Sequence, residues 1–401
     1  MFETTQSRGI DQLLALMQAY QADPRDNKVD LVVGVYKDAE GNIPVMRAVK
    51  AAEKQLYKTE TTKTYVGISG AADYRALVPA LLLGADSQQV AAARVTSVQT
   101  PGGSGALKVA CDYLNMLEAG KTLWVSSPTW ANHIPVAQDA GLSISEYPYF
   151  RASDRGLDFE GMVSHLKSNA KPGDAILLHA CCHNPTGVDP SFEQWQILAD
   201  LVLDLQLLPF LDCAYQGLGE SMTADVAGLR HMAGLVPEML IASSFSKNFG
   251  IYRERTGALT VIAADQDDLQ KAHGGIETVV RSNYSMPPSH GARIVSTVFE
   301  NADQKLDWEQ ELREMRDRIA SMRHALKSRV DALGITADTS FLTAQKGMFS
   351  YTGFGPDAVA RLKTEFGVYM AGDGRINVAG LTRENIDVVA HAFSAILKED
   401  A

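Results

Sequence analysis

Residues 175–215 read AILLHACCHNPTGVDPSFEQWQILADLVLDLQLLPFLDCAY. An apolar run, AILLHAC, leads into a turn rich in Asn, Pro, Thr and Gly. A helix-like stretch follows over Phe192–Leu205, and then a second apolar run, LLPFLDCAY. Working outward, RVTSVQT and TLWVSS precede this unit, MLIASSFS and GALTVIA follow it, and another helix-like stretch spans Gly105–Glu118. Short apolar runs alternating with helices predict an α/β fold, a mainly parallel sheet with helices on both faces. Ligands of such sheets gather at the carboxyl ends of the strands. The polar residues just after each run are therefore the candidate site.

The chain has 401 residues, which predicts two or three domains. Hydrophobic residues make up 46% and charged residues 21%, enough to build a large packed core and too apolar for disorder. A net charge of -11 argues against a general nucleic-acid binder, since phosphates reward positive surface. It leaves room for small anionic substrates held by a few arginines. Cys111, Cys181, Cys182 and Cys213 form no disulfide framework, so a reducing compartment is expected. With no signal-peptide pattern at the start and no apolar run near 20 residues, the expectation is a cytoplasmic protein without a membrane span.

Beyond residue 300 the period changes. Leu312, Met315, Ile319, Met322, Leu326, Val330 and Leu333 recur at three and four residues, and Gly334 follows as a stop signal. The other face carries Arg313, Arg316, Arg318, Arg323, Lys327 and Arg329, interleaved with Glu314 and Asp317, and reads as solvated. GMFSYTG and RINVAG then read as strands of a smaller domain.

At the strand ends, Gln99-Thr-Pro-Gly-Gly-Ser-Gly105 opens a helix. Its glycines let backbone N–H groups approach an anion, and Ser104 adds a hydroxyl, although the same loop also serves as a plain tight turn. Its spacing fits neither the dinucleotide nor the P-loop pattern. Asp212 closes LLPFL, where a carboxylate needs a cation or a donor. It is a salt bridge or cap, or a carboxylate kept ionised to hold a heteroaromatic nitrogen protonated, with Tyr215 close by. Lys247 follows MLIASSFS, where desolvation frees the amine for imine chemistry, with Ser244 and Arg255 as anion donors. An anion loop, a strand-end Asp and a strand-end Lys together suit pyridoxal phosphate. HACCHNPTG lacks the C-x-x-C spacing and second cluster of a zinc site, so no metal is expected, and Asn184 on its rigid turn is the better polar contact.

These residues resemble the class I aminotransferases of pyridoxal phosphate fold type I, and more narrowly their aspartate and aromatic amino acid subgroup. SPTWANH, HACCHNPTG, LDCAYQG, SSFSKNFGIYRERTG, RSNYSMPPSHGA, GMFSYTG and GRINVAG carry the resemblance in order along nearly the whole chain. It implies an N-terminal arm at 1–12, a small α/β domain at 13–43 and 314–401, and a large cofactor-binding domain at 44–313.

The resemblance also implies roles. Lys247 forms the covalent aldimine and moves the proton. Asp212 pairs with the pyridine nitrogen, backed by His133, while Asn184 and Tyr215 meet the phenolic oxygen and Trp130 stacks on the ring. Gly103, Ser104, Ser244 and Arg255 hold the phosphate, joined by Tyr65 of a second subunit. Arg375 clamps the substrate α-carboxylate with Asn184 and the Gly34 N–H, and Arg281 of the second subunit meets a distal carboxylate. A homodimer with shared sites and ping-pong kinetics is expected, acting on amino acids and 2-oxo acids.

Arg281 and Lys37 stand as in dicarboxylate-preferring members, whereas Ile43, Ser104 and Met286 resemble aromatic-accepting ones. The favoured expectation is a dual enzyme using Asp/Glu and aromatic donors with 2-oxoglutarate. A strict aspartate aminotransferase, a pyridoxal phosphate lyase or decarboxylase, and a non-catalytic regulatory module are the alternatives.

Overall fold

The computed structural model describes residue 2 and residues 12–399. Apart from Phe2 and Gln12, the arm expected at 1–12 lies outside the described residues. Seven strands form one sheet: β1 (Val95–Pro101), β2 (Thr122–Ser127), β3 (Ser143–Pro148), β4 (Ala175–His179), β5 (Leu208–Cys213), β6 (Met239–Ser244) and β7 (Thr256–Ile262). Their order is β1-β7-β6-β5-β4-β2-β3. Strands β3, β2, β4, β5 and β6 pair in parallel. β7 runs antiparallel to both β6 and β1.

The apolar runs become central strands because both of their faces are covered. Leu123, Val125, Leu177, Phe210, Leu240 and Leu259 enter one core cluster. Trp124, Ile176, Leu178, Leu211, Ile241 and Ala258 enter the other. The period of two therefore fills both layers. On the first side lies helix α1 (Gly102–Leu117), whose Ala106, Val109, Ala110 and Leu114 are fully buried. On the second lies α2 (Phe192–Asp204), started by a capping box between Ser191 and Gln194.

Strand β3 is an addition to the sequence reading. SISEYP lies at a sheet edge with Ser143 and Glu146 exposed and only Tyr147 fully buried, so its apolar signal is weak. The expected strands GMFSYTG and RINVAG pair antiparallel, Phe349–Tyr351 against Arg375–Asn377. Val29–Asp30 pairs in parallel with Val368–Tyr369.

The long helix, α3 (Ala302–Ala332), starts ten residues before the periodic run and ends at Leu333 and Gly334, the glycine taking φ +71°. One expectation about it is overturned. Arg323, placed on the solvated face, is only 4% exposed, because the chain after α3 folds back over it. Trp308 on α3 is buried, stacks on Phe249 at 4.8 Å and donates its indole N–H to the Asn248 carbonyl at 2.8 Å. It thus holds the turn next to Lys247. Trp308→Ala is expected to cost about 3–5 kcal/mol, read as unfolding free energy in urea, while Trp308→Phe loses distinctly less.

Candidate active site

The central parallel strands deliver site residues at their carboxyl edge. β5 carries Asp212 as its penultimate residue, β6 ends on Ser244 with Lys247 in the next turn, and β4 ends on His179 ahead of Asn184. β1 hands over to the N-terminus of α1. Because β7 runs the opposite way, Arg255 just before it arrives at the same edge. Gly34, Gly103, Ser104, Trp130, Asn184, Asp212, Tyr215, Ser244, Lys247 and Arg255 line one cavity of about 230 Å³. Gly34, Trp130, Asn184, Tyr215 and Lys247 also line a second cavity of about 580 Å³, where Arg375 and Phe349 stand. Lys247 and its neighbours are the wall between an inner and an outer chamber.

The inner chamber has the donor set of a phosphate cradle. Helix α1, 16 residues long, begins there with Gly102 and Gly103. Gly102 takes φ +73°, and a Cβ on it would fall 2.5 Å from Arg255 Nη2. A Cβ on Gly103 would meet that of Ser244 at 3.0 Å. Bare backbone is what keeps this corner open to an anion beside Ser104, Ser244 and Arg255.

At the other end of the chamber Asp212 is buried and accepts a hydrogen bond from His133 Nε2 at 3.0 Å. Burial alone raises this carboxyl, but the His133 bond and the nearby Lys247 charge hold it below the ordinary aspartate value. His133 belongs to a relay. The Asn184 backbone N–H donates to His179 Nδ1 at 3.2 Å, and burial holds His179 down to about 3, so that ring is neutral with its proton on Nε2. Thr129 Oγ1 stands 3.3 Å from His179 Nε2 and 2.8 Å from His133 Nδ1. The hydroxyl therefore accepts from one ring and donates to the other, leaving the His133 proton on Nε2, aimed at Asp212.

Lys247 is half-buried, with Nζ 4.9 Å from the centre of the Tyr215 ring. Desolvation lowers its amine below the usual lysine value against the pull of Asp212, and Arg255 and Arg375 add to the lowering. In the outer chamber Arg375 is buried and lies over Phe349 at 4.3 Å. It donates to Asn184 Oδ1 at 3.1 Å and to the Val32 carbonyl at 3.3 Å, while its buried Nε has no acceptor. A guanidinium so placed is ready for a carboxylate.

Two residues of the expected set stand apart. Tyr65 is 88% exposed, and Arg281 is exposed with Nη1 on Ser285 Oγ at 2.6 Å; neither lines a chamber of this chain. Lys37 is ion-paired with Asp30 at 3.1 Å, and Ile43 is half exposed. The sequence reading missed Thr129 and His179 of the relay. It also missed Tyr252, which lines the inner chamber and accepts the Tyr36 N–H at 2.8 Å. Cys181, Cys182 and Asp225 bring ligand atoms within 4.8 Å of one another. Both Asp225 oxygens are already taken by backbone N–H groups of Gly217, Gly219, Glu220 and Ser221, so its role is to fold that turn.

A family model described as aminotransferase class I and II matches residues 26–393. The chain is 45% identical over 397 residues to the aspartate aminotransferase of Salmonella typhi, covering 99% of this chain and 100% of that one. It is also 45% identical over 383 residues to the aromatic-amino-acid aminotransferase of Paracoccus denitrificans, 96% of each. Among solved structures it superposes on the aromatic-amino-acid aminotransferase of Burkholderia pseudomallei covalently bound to pyridoxal phosphate. The TM-score is 0.97 at 44% identity, over 99% of this chain and 100% of that chain.

Burial makes a further prediction. His183, whose ring stacks on Tyr149 at 4.0 Å, is held well below its ordinary value of 6.5 by desolvation, as is His179. Each takes up a proton only in the unfolded chain as the pH drops below 6.5, so stability is expected to fall from there towards about pH 3. Each such proton adds a slope of about 1.4 kcal/mol per pH unit. Urea midpoints between pH 7 and 5 should fall less steeply in His183→Gln than in the parent; equal slopes would refute the assignment.

Proposed function

The chain belongs to the class I and II aminotransferases and uses pyridoxal phosphate, and we propose that it moves amino groups from both aspartate/glutamate and aromatic amino acids to 2-oxoglutarate. The observation that carries the assignment of roles is the shared wall. One amine, Lys247, faces both a chamber with an anion cradle and a carboxylate, and a chamber with a buried arginine whose Nε has no protein acceptor.

When bound, the cofactor supplies an electron sink for the charge left at the amino acid's Cα and carries the amino group between two half-reactions, in ping-pong fashion. Gly103, Ser104, Ser244 and Arg255, with the α1 N-terminus, would hold its phosphate, and Lys247 would hold it covalently. Asp212, kept ionised and aimed by His133, would keep a proton on the ring nitrogen. Trp130 would cover the ring face against water, and Asn184 with Tyr215 would meet the phenolic oxygen.

The remaining steps belong to the protein. Arg375 pairs with the α-carboxylate, assisted by Asn184 and the Gly34 N–H, and so turns the Cα–H towards Lys247. The lowered amine of Lys247 accepts that proton at Nζ and returns it on the far side of the reaction. Residues 13–43 and 314–401 would form a small domain against a large one at 44–313. Tyr65 and Arg281 would complete the sites of a second copy in a homodimer, which fits their exposure here.

Ile43, Ser104 and Met286 resemble the residues of aromatic-accepting relatives, whereas Arg281 suits a distal carboxylate. The decisive experiment is kcat/KM for aspartate and phenylalanine side by side with 2-oxoglutarate. Comparable values are expected; a large preference for aspartate makes this a strict dicarboxylate enzyme, and activity with neither refutes the proposal. Lys247→Ala is expected to lose about 10⁴-fold in kcat.

Shared sites predict complementation. Lys247→Ala and Arg281→Ala homodimers should both fail on aspartate, while their mixture, after subunit exchange, regains activity in a hybrid that holds one intact site. A mixture no better than its parts refutes site sharing.

A further inference from the structure

Arg323 departs furthest from what its sequence position implies. It is 4% exposed, and its Nη1 donates to the Leu342 carbonyl at 3.0 Å and to Ser350 Oγ at 3.2 Å. Its Nη2 donates to the carbonyls of Gly347, at 2.8 Å, and Phe349. Its Nε is buried with no acceptor, and no ion pair among the described residues includes it. Burial lowers it to about 10, which leaves it a cation at neutral pH. A buried charge with neutral partners alone is an expensive arrangement unless a counter-charge arrives.

A cavity of about 120 Å³ lies against it, apart from both chambers of the active site. Its lining includes Arg316, Arg323, His324 and Lys346 and no acidic residue. It sits where α3 meets the turn at 218–219 behind Asp212 and the turn at 343–347 ahead of Phe349. Two of the cations have partners outside the lining. The Lys346 ammonium pairs with Glu220, while Arg316 donates to the Gly217 carbonyl at 3.1 Å and has Asp317 at 3.9 Å. Each retains unused donors, since an ammonium has three and a guanidinium five.

We propose that this cavity binds a small oxyanion of the phosphate or sulfate class, held by the unused donors of Arg316 and Lys346 and drawn by the charge of Arg323, whose four Nη hydrogens are already given to protein acceptors. The anion neutralises the buried guanidinium and ties α3 to two turns that lead to the active site, one from each side. It does not depend on which amino acids the enzyme accepts.

The test is thermal unfolding of the holoenzyme in phosphate against chloride at matched ionic strength. Phosphate at about ten times its dissociation constant is expected to raise the midpoint by about 2 °C. Arg375→Ala should keep the shift, because it removes only the substrate clamp, the other anion site left open once the cofactor's phosphate fills the cradle of the holoenzyme. The Arg316→Gln/Lys346→Gln double variant, measured against its own midpoint in chloride, should lose it. No shift in the parent, a shift that survives in the double variant, or one that vanishes in Arg375→Ala each overturns the site. Lys247→Ala and the substrate kinetics report on the transaminase assignment separately, so failure of one reading leaves the other standing.

Discussion

A negative charge kept in the interior is the constraint around which this protein is built. Asp212 stands next to the end of a strand that is covered on both faces, where a carboxylate left to itself would take up a proton. It stays ionised because His133 gives it a hydrogen bond, and His133 is oriented because Thr129 and His179 leave it no other tautomer. The last donor is a main-chain N–H at Asn184, which has no tautomer of its own. A chemical state at the centre of the site is thus set by the fold of a turn. The same Asn184 uses its side chain on Arg375, so the turn that fixes the charge also places the carboxylate clamp.

Much of this was legible in the sequence because the strands are short, apolar and closely punctuated. TLWVSS matches its strand residue for residue, and the other five runs differ by a few residues at their ends. Lys247, Asp212, Ser244 and Asn184 could be singled out since polar residues directly after buried runs are costly without a purpose. Edge strand β3 escaped because only one of its residues, Tyr147, is fully buried. Arg323 escaped for the opposite reason. Its place among Arg316, Asp317 and Lys327 gives it the pattern of a solvated face, and only residues 342–350, folding back over it, make it interior.

The relay marks another limit. Thr129 and His179 are 50 residues apart and meet only through the adjacency of β2 and β4 in the sheet. No local spacing encodes that meeting. Tyr65 and Arg281 owe their assigned roles to resemblance alone, because an exposed arginine on a helix looks the same whether or not another copy uses it.

The partition made by Lys247 has a consequence for how such a protein changes over generations. Phe349, Ala371, Gly372 and Arg375 line the outer chamber and have no place in the inner one, while Gly103, Ser104, Ser244 and Arg255 do the reverse. Drift in the first group alters what is accepted without loosening what is permanently held, and drift in the second does the opposite. Only the five residues common to both chambers are exposed to both pressures at once. A lineage can therefore explore new diets through one set of positions while its machinery stays fixed in the other.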